Sequence, residues 1–418
     1  MSNSIPSTAP KRVTERVGTP LPAWQRGEYQ VHFIHTGVAE SIFHIFPDGT
    51  TMLVDCGDHG AVTRRELAVP VLPNPSRLAG DWIARYVRRV LPTGTATLNG
   101  LPLVDYMLLT HYHDDHCGTA KWQDIHPGDN PLPGCYRSGI ALAAEQLAFG
   151  KAIDRCGLEP QDREPPSDCA GEADHTRRTY KALQARDKTV VERFRLGATD
   201  QIRPLHGKAD GFTVTNITAN GCILCRDGHI RDLYADRIKP GAWYNENGMS
   251  LGFIVRYGDF TFYAAGDFAD RFRDANGNLL LQTEDALADE LPRVEVAKAN
   301  HHGITSMPEK IVAALAPQAF VYPVWDQLHA PDDALDRMAS RALYPDARVL
   351  FPTVFTQERL LTAQGRKFLS DIATETLVNG AHVVLTVPPG GATYRISCLD
   401  ATDEAMAIKG EYLFTTRK

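Results

Sequence analysis

The chain has 418 residues, 43% of them apolar and 23% charged, with a formal net charge of −7. That length suits one large domain or two ordinary ones, and the composition is that of a globular protein with a sizeable core. The acidic balance gives no overall pull toward nucleic acid or an anionic membrane, no apolar run approaches the roughly 20 residues of a membrane helix, and the polar start lacks the apolar stretch of a secretory signal.

Residues 1–28, rich in Ser, Thr, Pro and Arg, are expected to form a flexible tail on a cytoplasmic protein. Structure begins near Tyr29, where YQVHFIHTG alternates apolar and polar residues as a half-buried strand does. SIFHIFP, the turn DGT and TMLVDCGD predict a hairpin whose second strand ends at Asp55, Cys56 and Gly57. GDWIARYVRRVLP has helical spacing, with Trp82, Ile83, Tyr86, Val87 and Val90 on one face. LVDYMLLTH reads as a buried strand that runs straight into a histidine cluster.

Residues from about 119 to 210 are rich in Pro, Asp, Arg and Gly and read as an insertion beside the site, where substrate choice is often set. Within it, SGIALAAEQLAFGKAIDRC predicts a helix capped by Ser138, and HTRRTYKALQARDKTVVERF a second one. Strands return at GFTVTNITANG, SLGFIVRYG and FTFYAAGD, the last two joined by a Gly258-Asp259 turn. VEVAKAN then leads into His301-His302, AFVYPVW is another buried strand, and HVVLTVPPGGATYRIS a final hairpin. Strands followed by helices in two successive halves predict an α/β (α+β) protein: two mixed β-sheets packed face to face with helices outside, as one domain over residues 29–418.

The eight cysteines are scattered, which is ordinary usage and not a disulfide framework. Cys222-x-x-Cys225 precedes His229, but without a second such pair it is expected to be structural.

The chemistry concentrates in THYHDDHCG, where His111, His113, Asp115 and His116 fall within six positions. Imidazole and carboxylate together suit zinc, and also manganese or iron. In an extended loop His111 and His113 point the same way and share one ion, while Asp115 and His116 serve a second. A polar loop with four strong ligands directly after a buried strand is a poor core and a poor turn, so metal binding is favoured over a solvated loop.

This His-x-His-x-Asp-His pattern resembles the signature of the metallo-β-lactamase superfamily. HFIHTGVAESIFHIFPDGTTMLVDCGD, NENGMSLGFIVRYGDFTFYAAGD and VAKANHHG resemble, in order, three segments of its ComEC-like branch, which includes the hydrolase domain of a competence protein. The likeness covers about residues 29–330 and implies the αββα sandwich of that superfamily. It also implies two divalent ions, zinc before manganese or iron, bridged by Asp267. His301 or His302 would complete the second site with Asp115 and His116, and His301, first after its strand, is favoured. Asp55 becomes a buried carboxylate that orients ligands, and Asn247 and Ser250 lie near the ions. Many relatives carry a further histidine between the first cluster and the bridging Asp; His126, His175, His206 and His229 occupy that interval but none ends a strand, leaving Asn220 as the nearest candidate. His329 matches a His-Pro position of the branch and is expected to contact substrate or protonate a leaving group.

The expected activity is hydrolysis by a water held between the ions and deprotonated near neutral pH, with Asp115 relaying its proton. The branch points to a phosphodiester, and the net charge favours a small or terminal phosphoester over a long polyanion. Arg177 and Arg178 are candidates for phosphate contact, although a solvated helix face explains them as well. A carboxylic ester or lactone hydrolase on the same site, and a mononuclear iron oxygenase, are the alternatives. A non-catalytic binding protein is disfavoured because the ligands are intact.

Overall fold

The computed structural model describes residues 9–59, 69–120, 132–159, 163–166, 168–235, 244–274 and 276–417. It is a mixed α/β protein built on two large mixed sheets with few helices. In the first sheet the strands run in the order Lys11–Val13, Ile408–Thr415, Thr393–Leu399, His382–Val387, Tyr29–Phe33, Ile42–Ile45, Thr51–Val54, Leu101–Leu108, Ala148–Asp154 and Val190–Arg193. The second runs Ile230–Asp232, Cys222–Leu224, Phe212–Ala219, Gly252–Tyr257, Phe260–Ala264, Val296–Lys298, Ala319–Tyr322 and Val349–Pro352.

Each sheet is antiparallel on one side and parallel on the other. The parallel half of the first begins where Thr51–Val54 meets Leu101–Leu108, and that of the second where Phe260–Ala264 meets Val296–Lys298. Parallel strands need crossovers, and the crossovers carry the helices. Helix Ala79–Val90 links the first such pair and buries Trp82, Ile83, Tyr86 and Val87, the face its spacing predicts.

Alternation decides which side chains meet. Along Tyr29–Phe33, residues Tyr29, Val31 and Phe33 join a core shared with Phe212, Phe253, Phe260 and Phe262 of the second sheet. His32 points the other way and bonds Tyr86 of the helix at 3.0 Å. Aromatic rings close the gap between sheets, with centroids 4.7 Å apart for Phe46–Phe212 and 5.2 Å for Tyr29–Phe212.

Two helix expectations are corrected here. The helix read over residues 138–156 is a short helix, Gly139–Ala143, followed by the strand Ala148–Asp154. The second helix spans Ala170–Asp187 and gives way to the strand Val190–Arg193. Both strands belong to the parallel half of the first sheet, so much of the region expected as an insertion is part of the sheet itself. Ala-rich sequence favours a helix, but parallel neighbours on both sides of Ala148–Asp154 supply ladder bonds and burial that override a weak propensity. Within the first 28 residues, Lys11–Val13 pairs with Glu411–Leu413, and Arg16 binds the buried Glu411.

No described helix is long and apolar enough to cross a membrane.

Candidate metal centre

The candidate residues gather at the C-terminal ends of strands on the parallel sides of both sheets. Loops there are free to present side chains while the sheets hold their roots. Thr51–Val54 delivers Asp55, Leu101–Leu108 delivers the histidine cluster, Phe260–Ala264 delivers Asp267, and Val296–Lys298 delivers the His301-His302 pair.

The first two loops are laced together. Cys56 N–H donates to His116 O at 2.8 Å, Asp58 N–H to Asp114 O at 3.0 Å, and Glu40 N–H to Asp115 O at 2.8 Å. A Cβ on Gly57 would fall 1.7 Å from Asp115 O, so only glycine permits this approach. The 300–303 turn is left-handed at three successive residues: His301, His302 and Gly303 have φ of 45°, 51° and 83°. Two non-glycine residues in that region cost of order 1 kcal/mol each or more, a strain that clusters at functional sites.

That turn decides between the two histidines. His302, not the favoured His301, enters the cluster: its Nε2 lies 3.1 Å from Asp115 Oδ2 and 3.4 Å from Asp267 Oδ2. His301 turns aside, with Nε2 3.2 Å from Asn247 Nδ2. His116 Nε2 lies 3.2 Å from Asp267 Oδ2 and 3.5 Å from Asp115 Oδ2. Buried Glu40, His116, Asp267 and His302 thus lie close enough together to bind a metal ion.

The outward nitrogens show which atoms face inward. His116 Nδ1 is held by Asp55 Oδ2 at 2.8 Å, which leaves Nε2 for the centre. His302 Nδ1 faces Pro323 O at 3.1 Å and Glu40 Oε2 at 3.4 Å, so Glu40 sits behind the ring and Nε2 points inward. Asp55 also accepts from Thr110 N–H at 2.7 Å and Thr110 Oγ1–H at 2.8 Å. This is the carboxylate–histidine arrangement that fixes tautomer and ring orientation in metal sites. Lys298, fully buried, bonds Gly266 O at 2.7 Å, Glu40 Oε1 at 2.9 Å and Asp267 Oδ1 at 3.3 Å, which leaves Oδ2 of Asp267 to the centre.

Burial alone would raise the Asp115 and Asp267 carboxyls, but His116 and His302 hold both well below the usual carboxylate range. Burial opposes the charged form of His302, yet Asp267 and Asp115 raise it to about 9. The same carboxylates, with Asp55, outweigh burial and raise His116. In the absence of a cation the two imidazoles supply the positive charge that the two carboxylates require.

The other candidates divide clearly. His111 Nε2 and His113 Nδ1 are hydrogen-bonded to each other at 3.0 Å. Ser250 Oγ accepts from Asp267 N–H at 3.2 Å. His329 is buried and stacks on His302 with centroids 4.8 Å apart and an interplanar angle of 7°. Asn220 is engaged elsewhere, its amide bonding Arg155 in both directions at 2.9 Å. His175 accepts from Tyr136 N–H at 3.1 Å, His206 pairs with Asp105 at 2.9 Å and His229 with Asp227 on an exposed turn, while His126 lies outside the described residues. Arg177 and Arg178 pair with Glu164 and Asp174.

Two site residues were given no role by the sequence. Glu40 sits in an apolar hairpin segment, VAESIF, where a lone buried acid is the available signal. Lys298 lies in VAKANHHG, and a lysine ending a buried strand is a similar anomaly. Among the described residues, Glu40 Oε2, Asn247 Oδ1 and His329 Nδ1 are buried around the centre without a hydrogen-bond partner.

Comparison with protein-family models finds no match for this chain, and comparison with curated proteins finds none either.

Proposed function

We propose that the chain is a metal-dependent hydrolase of the metallo-β-lactamase fold, acting on a phosphodiester or related ester. One observation carries the reading. Asp115 Oδ2, His116 Nε2, Asp267 Oδ2 and His302 Nε2 are spaced at 3.1, 3.2, 3.4 and 3.5 Å along four of their six edges. A tetrahedron with ligand bonds of about 2.0–2.2 Å has edges of about 3.3–3.6 Å, so these four edges lie near zinc spacing. The set of two neutral-capable imidazoles and two carboxylates, with outward hydrogen bonds already in place, suits zinc, and also manganese or iron.

His111 and His113 offer only two nitrogens beside this set, and Asn220 is bound to Arg155. They would hold a second ion through a shared Asp267, more weakly than the four-donor position holds the first. A divalent ion supplies Lewis acidity and lowers the pKa of a water it binds. The chain's own groups do the rest. Asp115, kept ionised by its two histidine neighbours, would hold and relay the proton of an attacking water. Lys298 orients Asp267 from behind. His329, kept neutral by burial, presents an unpartnered Nδ1 to a substrate or leaving-group oxygen.

The test is metal content together with turnover of bis-p-nitrophenyl phosphate and p-nitrophenyl esters, for wild type and Asp267→Asn. Two ions per chain and phosphodiester turnover, both lost in the variant, are the expected result. Turnover of carboxylic esters alone would keep the site and discard the phosphodiester. One iron without hydrolysis would sink the hydrolase reading in favour of oxygen chemistry.

A further inference from the structure

The loop that follows strand Ala319–Tyr322 closes one side of the centre, and it carries an indole as well as His329. Trp325 Nε1–H points at His302 Nε2, 3.3 Å away. That nitrogen is a poor lasting acceptor. His302 Nδ1 faces the carbonyl of Pro323, which can only accept, so Nδ1 carries a proton. The Nε2 lone pair faces Asp115 Oδ2 and Asp267 Oδ2, 3.1 and 3.4 Å away, and is taken when the site binds a cation. With the cation bound, the indole N–H is aimed into the centre with no other acceptor among the described residues.

The ring is not free to turn away. It packs edge-on to His329 at 4.6 Å and 86°, and lies 4.6 Å from His59 at 33°. Its backbone carbonyl accepts from Val69 N–H at 2.9 Å. The residue is half-buried. Next to it, His329 adds a buried Nδ1 without a partner. A fixed donor and an unsatisfied buried nitrogen lie on one loop, both beside the donor set, where an oxygen of a bound ester would meet them.

We propose that Trp325 is a catalytic residue whose indole N–H donates to a negatively charged, non-bridging oxygen of the ester, placed beside Nε2 of His302. The substrate class is therefore a tetrahedral oxyanion ester, a phosphate ester before a carboxylic one. The assignment rests on the metal-dependent reading above. A hydrogen bond to a charged oxygen is stronger than one to a neutral carbonyl, and a donor aimed at developing charge acts chiefly on the transition state.

The experiment uses the metal-loaded protein and inorganic phosphate as probe, with Trp325→Phe, which keeps the ring and loses the N–H, and Trp325→Leu as a second variant should the first fold poorly. Metal content is expected to match wild type, the phosphate Kd to rise about 10-fold or more, and kcat for bis-p-nitrophenyl phosphate to fall about 100-fold with KM changed far less. Unchanged phosphate affinity in a variant that retains its metal would overturn the assignment and leave the metal reading standing. Loss of metal in both variants would make Trp325 a support for His302 and also overturn it. A wild-type chain that takes up no metal would remove the reading beneath it, and this assignment with it.

Discussion

Replacing Asp55 by asparagine separates a ligand-orienting role from a structural one. Oδ1 of Asp55 accepts from Thr110 N–H at 2.7 Å, and Oδ2 from His116 Nδ1 at 2.8 Å and the Thr110 hydroxyl at 2.8 Å. An asparagine that keeps its oxygen toward the buried Thr110 N–H must turn its NH₂ toward His116 Nδ1. The ring can accept that donor only by moving its proton to Nε2, the nitrogen that faces Asp115 and Asp267. The flipped amide meets the Thr110 N–H donor to donor. Either way the inward lone pair of His116 is lost or the loop is strained.

Loss of such an outer partner costs 10–100-fold in metal affinity, or about 1.4–2.8 kcal/mol. Asp55→Ala frees the tautomer instead, and should bind metal better than Asp55→Asn. For folding the order reverses. Asp55 has φ of 57°, a conformation that asparagine tolerates and alanine does not, and alanine leaves Thr110 N–H buried without an acceptor, at about 1–3 kcal/mol. Zinc affinity by competition with a chromophoric chelator, beside urea denaturation of the apoprotein, reads both orders. An asparagine variant that binds zinc as tightly as wild type would refute the argument.

Two further outcomes are expected. Arg155 and Glu246 form a fully buried ion pair behind the histidine loop, and Glu246 accepts from Tyr112 N–H at 3.2 Å, between His111 and His113. Glu246→Ala strands a buried guanidinium and should destabilise the fold by about 3–5 kcal/mol, whereas Arg155→Met with Glu246→Leu together should cost much less; equal losses in denaturant melts would contradict this. Burial pushes His32, His35, His44 and His382 down to about 3. The unfolded chain takes up protons below about pH 6.5 that the folded chain refuses, so stability is complete above that pH and is lost as pH falls from 6.5 toward 3. At pH 5.5 each ring costs about 1.4 kcal/mol, and the four together roughly 5–6, which urea melts at pH 7.5 and 5.5 would detect; a stability flat across that window would show the rings protonated in the fold.

Much of the centre was readable as sequence because it is local. His111, His113, Asp115 and His116 lie on one loop, and a strand that buries its residues must end where such a loop meets solvent. Asp267 and the histidine pair also follow strands, so their presence near the centre followed from the same pattern. Which histidine enters was not local: the left-handed turn at 301–303 turns His302 inward across 187 residues to Asp115. Glu40 and Trp325 carry no motif, and they and Lys298 matter because folding brings their loops behind or beside His302. The strand Ala148–Asp154 read as helix because side-chain composition registers propensity, while the hydrogen bonds that make it a strand belong to Leu101–Leu108 and Val190–Arg193. Ligand type and strand-end placement are short-range properties that a sequence determines by itself; ring orientation, outer partners and membership of a sheet are long-range, and only the packed tertiary structure decides them.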